Sequence, residues 1–206
     1  MNPGIGIALA YLLGSVPASY LAGKWFGGVD LREHGSGNLG ATNTFRVLGP
    51  RVALPVMLFD LFKGWAPVFV FTRWDSSPAW QWAIAYGGAA ILGHVFPAYT
   101  HFRGGKGVAT GAGVFLALAP LAVGIGFAAW LAVLGLFRMV SLASLAATLT
   151  LLAVLLVSER RLAVVVLGAA VCLFVIFAHR ANIARIVRGT ERRIGGADPS
   201  PGEVPR

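Results

Sequence analysis

Apolar residues run along this chain in long blocks, and polar residues gather between them in three short, glycine-rich, basic segments. The blocks cover 4–26, 52–73, 80–98, 108–137, 141–157 and 162–178. About 20 apolar residues in helix cross a bilayer's ~30 Å hydrocarbon layer, so each block predicts a transmembrane helix. The block 108–137 is too long for one span at ~1.5 Å per residue. Pro120 inside it lacks the N–H that a continuous helix needs there. A break at Ala119–Pro120 divides it, leaving a fourth span of about 12 residues. Such a helix is too short to cross unaided. It is expected to start or end within the protein, where packed neighbours satisfy its backbone.

That break decides which way the polar segments face. With six spans the third segment lies opposite the first two; with seven, all three share one side. Seven spans also gather the positive charge. Of the 17 Lys and Arg, all but Arg73, Arg160, Arg161 and the intramembrane Lys63 fall on the shared side. The positive-inside rule makes that side cytoplasmic, with the N-terminus outside and the C-terminus in the cytoplasm. The expected fold is an all-α polytopic membrane protein of about seven transmembrane helices in a bacterial cytoplasmic (inner) membrane. Residues 1–193 form one integral-membrane domain, and 194–206 a disordered tail. The first basic residue is Lys24, so the first block is expected to be a retained span rather than a cleaved leader.

Composition agrees and narrows the class. A content of 57% hydrophobic and 12% charged residues, with 27 Gly, excludes an ordinary soluble domain. The lone Cys172 lies in an apolar run and reads as an inert core thiol. The net charge of +9 is explained by membrane orientation and anionic lipid, not nucleic acid. None of His34, His94, His101 and His179 forms a ligand-spaced pair, so no metal is expected.

The chemistry must reside in the polar segments. Segment one, GSGNLGATNTFR at 35–46, matches a dinucleotide G-x-G-x-x-G with Asp60 at the acidic position. That fingerprint requires a βαβ unit, and here it follows a membrane span. What remains is a glycine-rich turn in which Ser36, Asn38, Gly40, Thr42 and Asn43, followed by Arg46, can wrap a phosphate. Segment two, at 93–111, holds Arg103-Gly104-Gly105-Lys106-Gly107. It lacks the first Gly and the final Ser or Thr of a nucleotide phosphate loop. Its glycines still permit close backbone approach, Lys106 supplies charge, and a helix starting at Val108 turns its N-terminus to an anion. Segment three, at 179–191, places His179 and Asn182 on one helical face, with Glu191 expected to pair with a base. Asp60 and Lys63, three apart within the second span, are placed to neutralise each other, either in support of the site or for structure alone. Arg138 and Ser141, in the connection after the long block, are candidates to complete the site.

Taken in order, the segments resemble one family, the bacterial acyl-phosphate:glycerol-3-phosphate acyltransferases (PlsY). The resemblance is carried by Ser36-Gly-Asn38-Leu-Gly40-Ala-Thr42-Asn43 with Arg46. It continues in Gly93-His94-x-Phe96-Pro97 through Gly104-Gly105-Lys106-Gly107 to Thr110, and in His179-Arg180-x-Asn182-Ile183-x-Arg185 with Gly189 and Glu191. It implies transfer of a fatty acyl group from acyl phosphate to the 1-hydroxyl of glycerol 3-phosphate, giving lysophosphatidic acid and phosphate, the first acylation of phospholipid synthesis. It implies no cofactor, an upstream enzyme that forms acyl phosphate, and glycerol 3-phosphate bound at the Gly-Gly-Lys region. Ser36, Arg46, His179 and Asn182 are implied to be essential and Glu191 to be structural; Lys106 joins the catalytic set on charge. The His-x-x-x-x-Asp dyad of the other large glycerophosphate acyltransferase class is absent: no His has Asp five positions on. Direct attack on the acyl phosphate is therefore expected, with His179 as base or Ser36 as acylated nucleophile the alternatives. The rival class is a transporter or channel for organic phosphate anions.

Overall fold

The computed structural model describes residues 1–76 and 80–195, and every regular element among them is helical. In chain order these are α1 (Pro3–Ser15), α2 (Ala18–Ala22), α3 (Ala41–Leu48), α4 (Pro50–Ala66), α5 (Thr72–Trp74), α6 (Gln81–Val95), α7 (Val108–Leu118), α8 (Pro120–Phe137), α9 (Val140–Ser158), α10 (Leu162–Ala178) and α11 (Arg180–Val187). Wide, π-type turns at Gly23–Gly27 and Pro67–Phe71 extend α2 and join α4 to α5.

Among the described residues, four helical runs are long and apolar enough to cross a membrane: Pro3–Gly27, Pro50–Trp74, α8 and α9. The pair α10 and α11, bent by 58°, reaches that length only when the two are taken as one broken span. The expected division of the long block is present. Ala119 leaves the helical conformation at φ −149°, ψ 70°, and Pro120 opens α8, where its missing N–H costs nothing. The shorter α6 and α7 fall below a full span.

Their shortness is accommodated by burial. Val114, Phe115 and Leu118 of α7 lie in the main apolar core with Ile91 and Val95 of α6, Leu151 and Leu155 of α9, and Val164 of α10. The end of α7 is also closed: Arg161, in the α9–α10 connection, donates to the Leu118 carbonyl at 2.6 Å while pairing with Glu159 at 2.7 Å. A carbonyl that no helical N–H can reach is thereby satisfied.

Close helix contacts set the depth of everything else. Gly113 of α7 packs on the backbone of Leu61 and Trp65, Gly64 of α4 on Thr110, and Gly14 of α1 on Ala90 of α6. Small residues let these backbones approach, as membrane helices require. Gly93, near the end of α6, meets Ser15, midway along the run Pro3–Gly27. The loop from α6 to α7 therefore sits level with the middle of the longest helices. Beyond that level the first run continues from Ala18 to Gly27, roughly 15 Å at 1.5 Å per residue, and the loop borders a recess.

The described part of the tail begins in contact with the domain: Ile194 N–H donates to the Arg138 carbonyl at 2.7 Å. The rest of the expected tail, from 196 onward, lies outside the described residues.

Candidate active site

Segment one is a loop closed by a short helix. Its turn is held by Asp30, which pairs with Arg32 at 2.7 Å; that guanidinium holds the Asp30 carboxyl down to about 2. The chain then enters α3, which carries Thr42, Asn43 and Arg46. A turn was expected across all of these residues. The helix forms because Ala41–Leu48 contains no Gly or Pro and is bounded by Gly40 and Gly49. Asn43 is 1% exposed and its amide is committed to backbone. Its Oδ1 accepts from Ser36 N–H at 2.7 Å, and its Nδ2 donates to the Leu31 and His34 carbonyls, both at 3.0 Å. Asn43, expected as a substrate ligand, is the clip that shapes the loop bearing Ser36. Asn38, Gly40, Thr42 and Arg46 are half-buried, and Ser36 is exposed.

Segment two borders the recess. Gly105 N–H donates to the His94 carbonyl at 3.1 Å, folding the loop back onto the end of α6. Gly105 is crowded by two groups. A Cβ there would overlap His94 Nε2 and lie 2.5 Å from the Leu39 carbonyl, so segments one and two abut. Gly107, at φ 77°, takes the left-handed conformation that glycine adopts without strain, and starts α7. Beside the loop a recess is lined by residues 14–19, Leu39, Asp60, Lys63, His94, Pro97, Gly104 and Gly105. The intramembrane pair is present, with Lys63 Nζ 2.8 Å from Asp60 Oδ1.

Segment three closes the other side. Lys106 Nζ donates to Asn182 Oδ1, joining segments two and three. Asn182 Nδ2 donates to Glu191 Oε1 at 2.7 Å, Ser141 Oγ donates to the same oxygen at 2.7 Å, and Arg185 pairs with Glu191 Oε2 at 2.7 Å. Glu191 thus holds the amide that faces Lys106. Ser141, a candidate ligand, is buried and spends its hydroxyl on Glu191. Arg138 is exposed, in the left-handed conformation at φ 59°, and its carbonyl serves Ile194.

The electrostatics follow from this crowding. Burial lowers the Lys106 ammonium to about 8; Glu191 opposes the shift, while Arg185 and Arg46 repel the charge and add to it. Arg46 is therefore within electrostatic range of Lys106. His179, between α10 and α11, is buried. Its Nδ1 is 2.8 Å from the Val175 carbonyl, which fixes the proton on that nitrogen and leaves Nε2 an acceptor. Burial alone would raise Glu191, but bonds from Ser141, Asn182 and Arg185 outweigh it and hold the carboxyl below its ordinary range. Among the described residues, no three His, Cys, Asp or Glu gather to hold a metal ion.

The residue missed in the sequence is His94. It was visible in segment two, but its partners Asp60 and Gly105 come from α4 and from across a turn, and no spacing in the chain announces them.

A helical membrane protein in which Lys106, Arg46 and Arg185 converge beside a glycine loop has the donors that a phosphorylated substrate calls for. The glycerol-3-phosphate acyltransferase family matches residues 4–189. A glycerol-3-phosphate acyltransferase of Synechococcus elongatus is 46% identical over 193 residues, covering 91% of this chain and 92% of the relative. Glycerol-3-phosphate acyltransferase 2 of Bacillus cereus is 42% identical, covering 89% and 90%. The crystal structure of PlsY, an integral membrane glycerol 3-phosphate acyltransferase, in its glycerol 3-phosphate form, superposes with a TM-score of 0.87. It shares 37% identity and covers 94% of this chain and 96% of that one. A lysophosphatidic acid form superposes at 0.84 with 36% identity, covering 93% and 94%. The chain belongs to the glycerol-3-phosphate acyltransferase family and is a membrane enzyme like PlsY.

Proposed function

We propose that this protein acylates the 1-hydroxyl of glycerol 3-phosphate with acyl phosphate as donor, releasing lysophosphatidic acid and inorganic phosphate. The observation that carries this reading is the junction of Lys106 with Asn182, within range of Arg46 and beside the glycine loop. Two phosphates, one on each substrate, need such a concentration of donors. The relatives' names specify the acceptor, and the PlsY forms with glycerol 3-phosphate and lysophosphatidic acid support its use here.

In this mechanism Lys106, Arg46 and the loop N–H groups hold the phosphates. The glycerol oxygen attacks the acyl carbonyl carbon, the carbon–oxygen bond to phosphate breaks, and phosphate leaves with the electron pair. Fixed cations stabilise that charge without reorganising, and alignment of the two substrates supplies much of the rate. The hydroxyl proton passes to a substrate phosphate, whose second pKa lies near 6. This route is favoured over His179 as base, because His179 is 4% exposed and a buried imidazolium is costly to form. It is favoured over an acylated Ser36, because among the described residues no histidine hydrogen-bonds to the Ser36 hydroxyl, as an activated serine nucleophile requires.

Topologically, we read seven crossings, α6 and α7 among them, with the recess opening to the cytoplasm. Purified protein given glycerol 3-phosphate is expected to form lysophosphatidic acid with palmitoyl phosphate and not with palmitoyl-CoA. Equal turnover of the thioester would overturn the donor assignment. Stable label on Ser36 after incubation with labelled acyl phosphate alone would overturn direct transfer, whereas near-normal turnover by His179→Gln would support it.

A further inference from the structure

Three ionisable residues are buried together beside the glycine loop. Asp60 is 2%, Lys63 1% and His94 7% exposed. Lys63 Nζ lies 2.8 Å from Asp60 Oδ1 and also donates to the Val16 carbonyl at 2.9 Å. That carbonyl is available because the helix is interrupted at Val16–Pro17, between α1 and α2. The same Asp60 oxygen lies 3.5 Å from His94 Nδ1. One carboxylate therefore ties α4 to the break in the first long run and to the end of α6.

Mutual neutralisation explains Asp60 and Lys63, but it does not explain why an imidazole completes the group. His94 makes two contacts with one residue of the loop: its carbonyl accepts Gly105 N–H at 3.1 Å, and its Nε2 packs against Gly105 on the side where a Cβ would stand. The Leu39 carbonyl of segment one crowds Gly105 on that same side. Gly105 precedes Lys106, so whatever fixes the peptide between them fixes where that ammonium begins. The Ser15 hydroxyl, fully buried and without a hydrogen-bond partner among the described atoms, lines the same recess.

We infer that His94, oriented by the Asp60–Lys63 pair, is a positioning residue that sets the Gly105–Lys106 backbone for the phosphate of glycerol 3-phosphate. The inference rests on the proposed reading of that loop as the acceptor's anion site. Its effect falls on one substrate. The imidazole is placed by Asp60 on one nitrogen and meets the loop at Gly105 with the other.

The test compares wild type with His94→Ala, His94→Gln and Asp60→Asn in detergent. It measures melting temperature, KM for each substrate, kcat, and glycerol 3-phosphate binding by calorimetry. The expected result is a rise of about tenfold or more in KM and Kd for glycerol 3-phosphate in His94→Ala, equivalent to ~1.4 kcal/mol. KM for acyl phosphate changes less than twofold, and His94→Gln, which retains a polar end, recovers part of the loss. Asp60→Asn raises the same KM, and combining it with His94→Ala adds little, because the two act through one contact. Wild-type KM for glycerol 3-phosphate in a folded His94→Ala would overturn the inference. So would equal losses toward both substrates accompanied by a large fall in melting temperature, which mark a purely structural role. Wild type that binds glycerol 3-phosphate without acylating it would sink the functional reading instead, while the calorimetric comparison still decides the role of His94.

Discussion

Lys106 is half-buried among Arg46, Arg185 and Asn182, where a positive charge is costly to keep. A base whose pKa falls to about 8 is cationic below that pH and neutral above it. We therefore expect kcat/KM for glycerol 3-phosphate to decline above about pH 8. Lys106→Arg, whose guanidinium stays charged, should move that decline upward. Lys106→Met should lower kcat/KM by ~10²–10³, the cost of one preorganised electrostatic donor. Glu191 is the other decisive side chain. Glu191→Ala strands Asn182, Ser141 and Arg185 together, and should cost about 1.5–3 kcal/mol in a denaturation assay, the range for bonds to a charged group. Arg185→Ala should cost less, because its side chain is 42% exposed. The Glu191 pairing and the Asp60–Lys63 pair were legible in the sequence, since an isolated acid among bases has few choices. The clip role of Asn43 was not legible, because a buried amide and a ligand amide look alike until their partners are known.

At the scale of helices, the blocks of apolar residues located every long element, and Pro120 located the break between α7 and α8 within a residue. Two features escaped. α3 was hidden by the glycines on either side, which read as one continuous turn. The central place of α7 was also hidden, because its uniformly apolar surface gives no sign of which neighbours cover it. α7 depends on close approach to α4: at Gly113 a Cβ would overlap the Leu61 carbonyl and lie 2.9 Å from Trp65 N. Gly113→Ala should destabilise the protein by ~1–3 kcal/mol through overpacking. Gly124→Ala, where a Cβ meets nothing within 4 Å, should leave the melting temperature within error.

For the whole molecule, the depth of the recess links fold to chemistry. α6 and α7 stop level with the middle of the runs Pro3–Gly27 and Pro50–Trp74, so the glycine loop lies well below the ends of those runs. A long acyl chain held between helices could keep its carbonyl at that depth while phosphates reach the loop from water. In the sequence, the break at Pro120 and the distribution of charge point to one side for all three polar segments, and packing around Gly105 and Lys106 brings them together. The seven-crossing topology predicts that Glu33→Cys and Arg188→Cys, in a Cys172→Ala background, react with an impermeant thiol reagent from the same side. Ser158→Cys should react from the other; opposite labelling of 33 and 188 would require six crossings. The central claim is that this site performs acyl transfer rather than passage of an anion across the membrane. Its most direct test is purified protein in detergent, with no gradient, given palmitoyl phosphate and glycerol 3-phosphate. Stoichiometric release of phosphate and lysophosphatidic acid, lost in Lys106→Met, is the predicted result, and absence of both products from folded wild-type protein would contradict it.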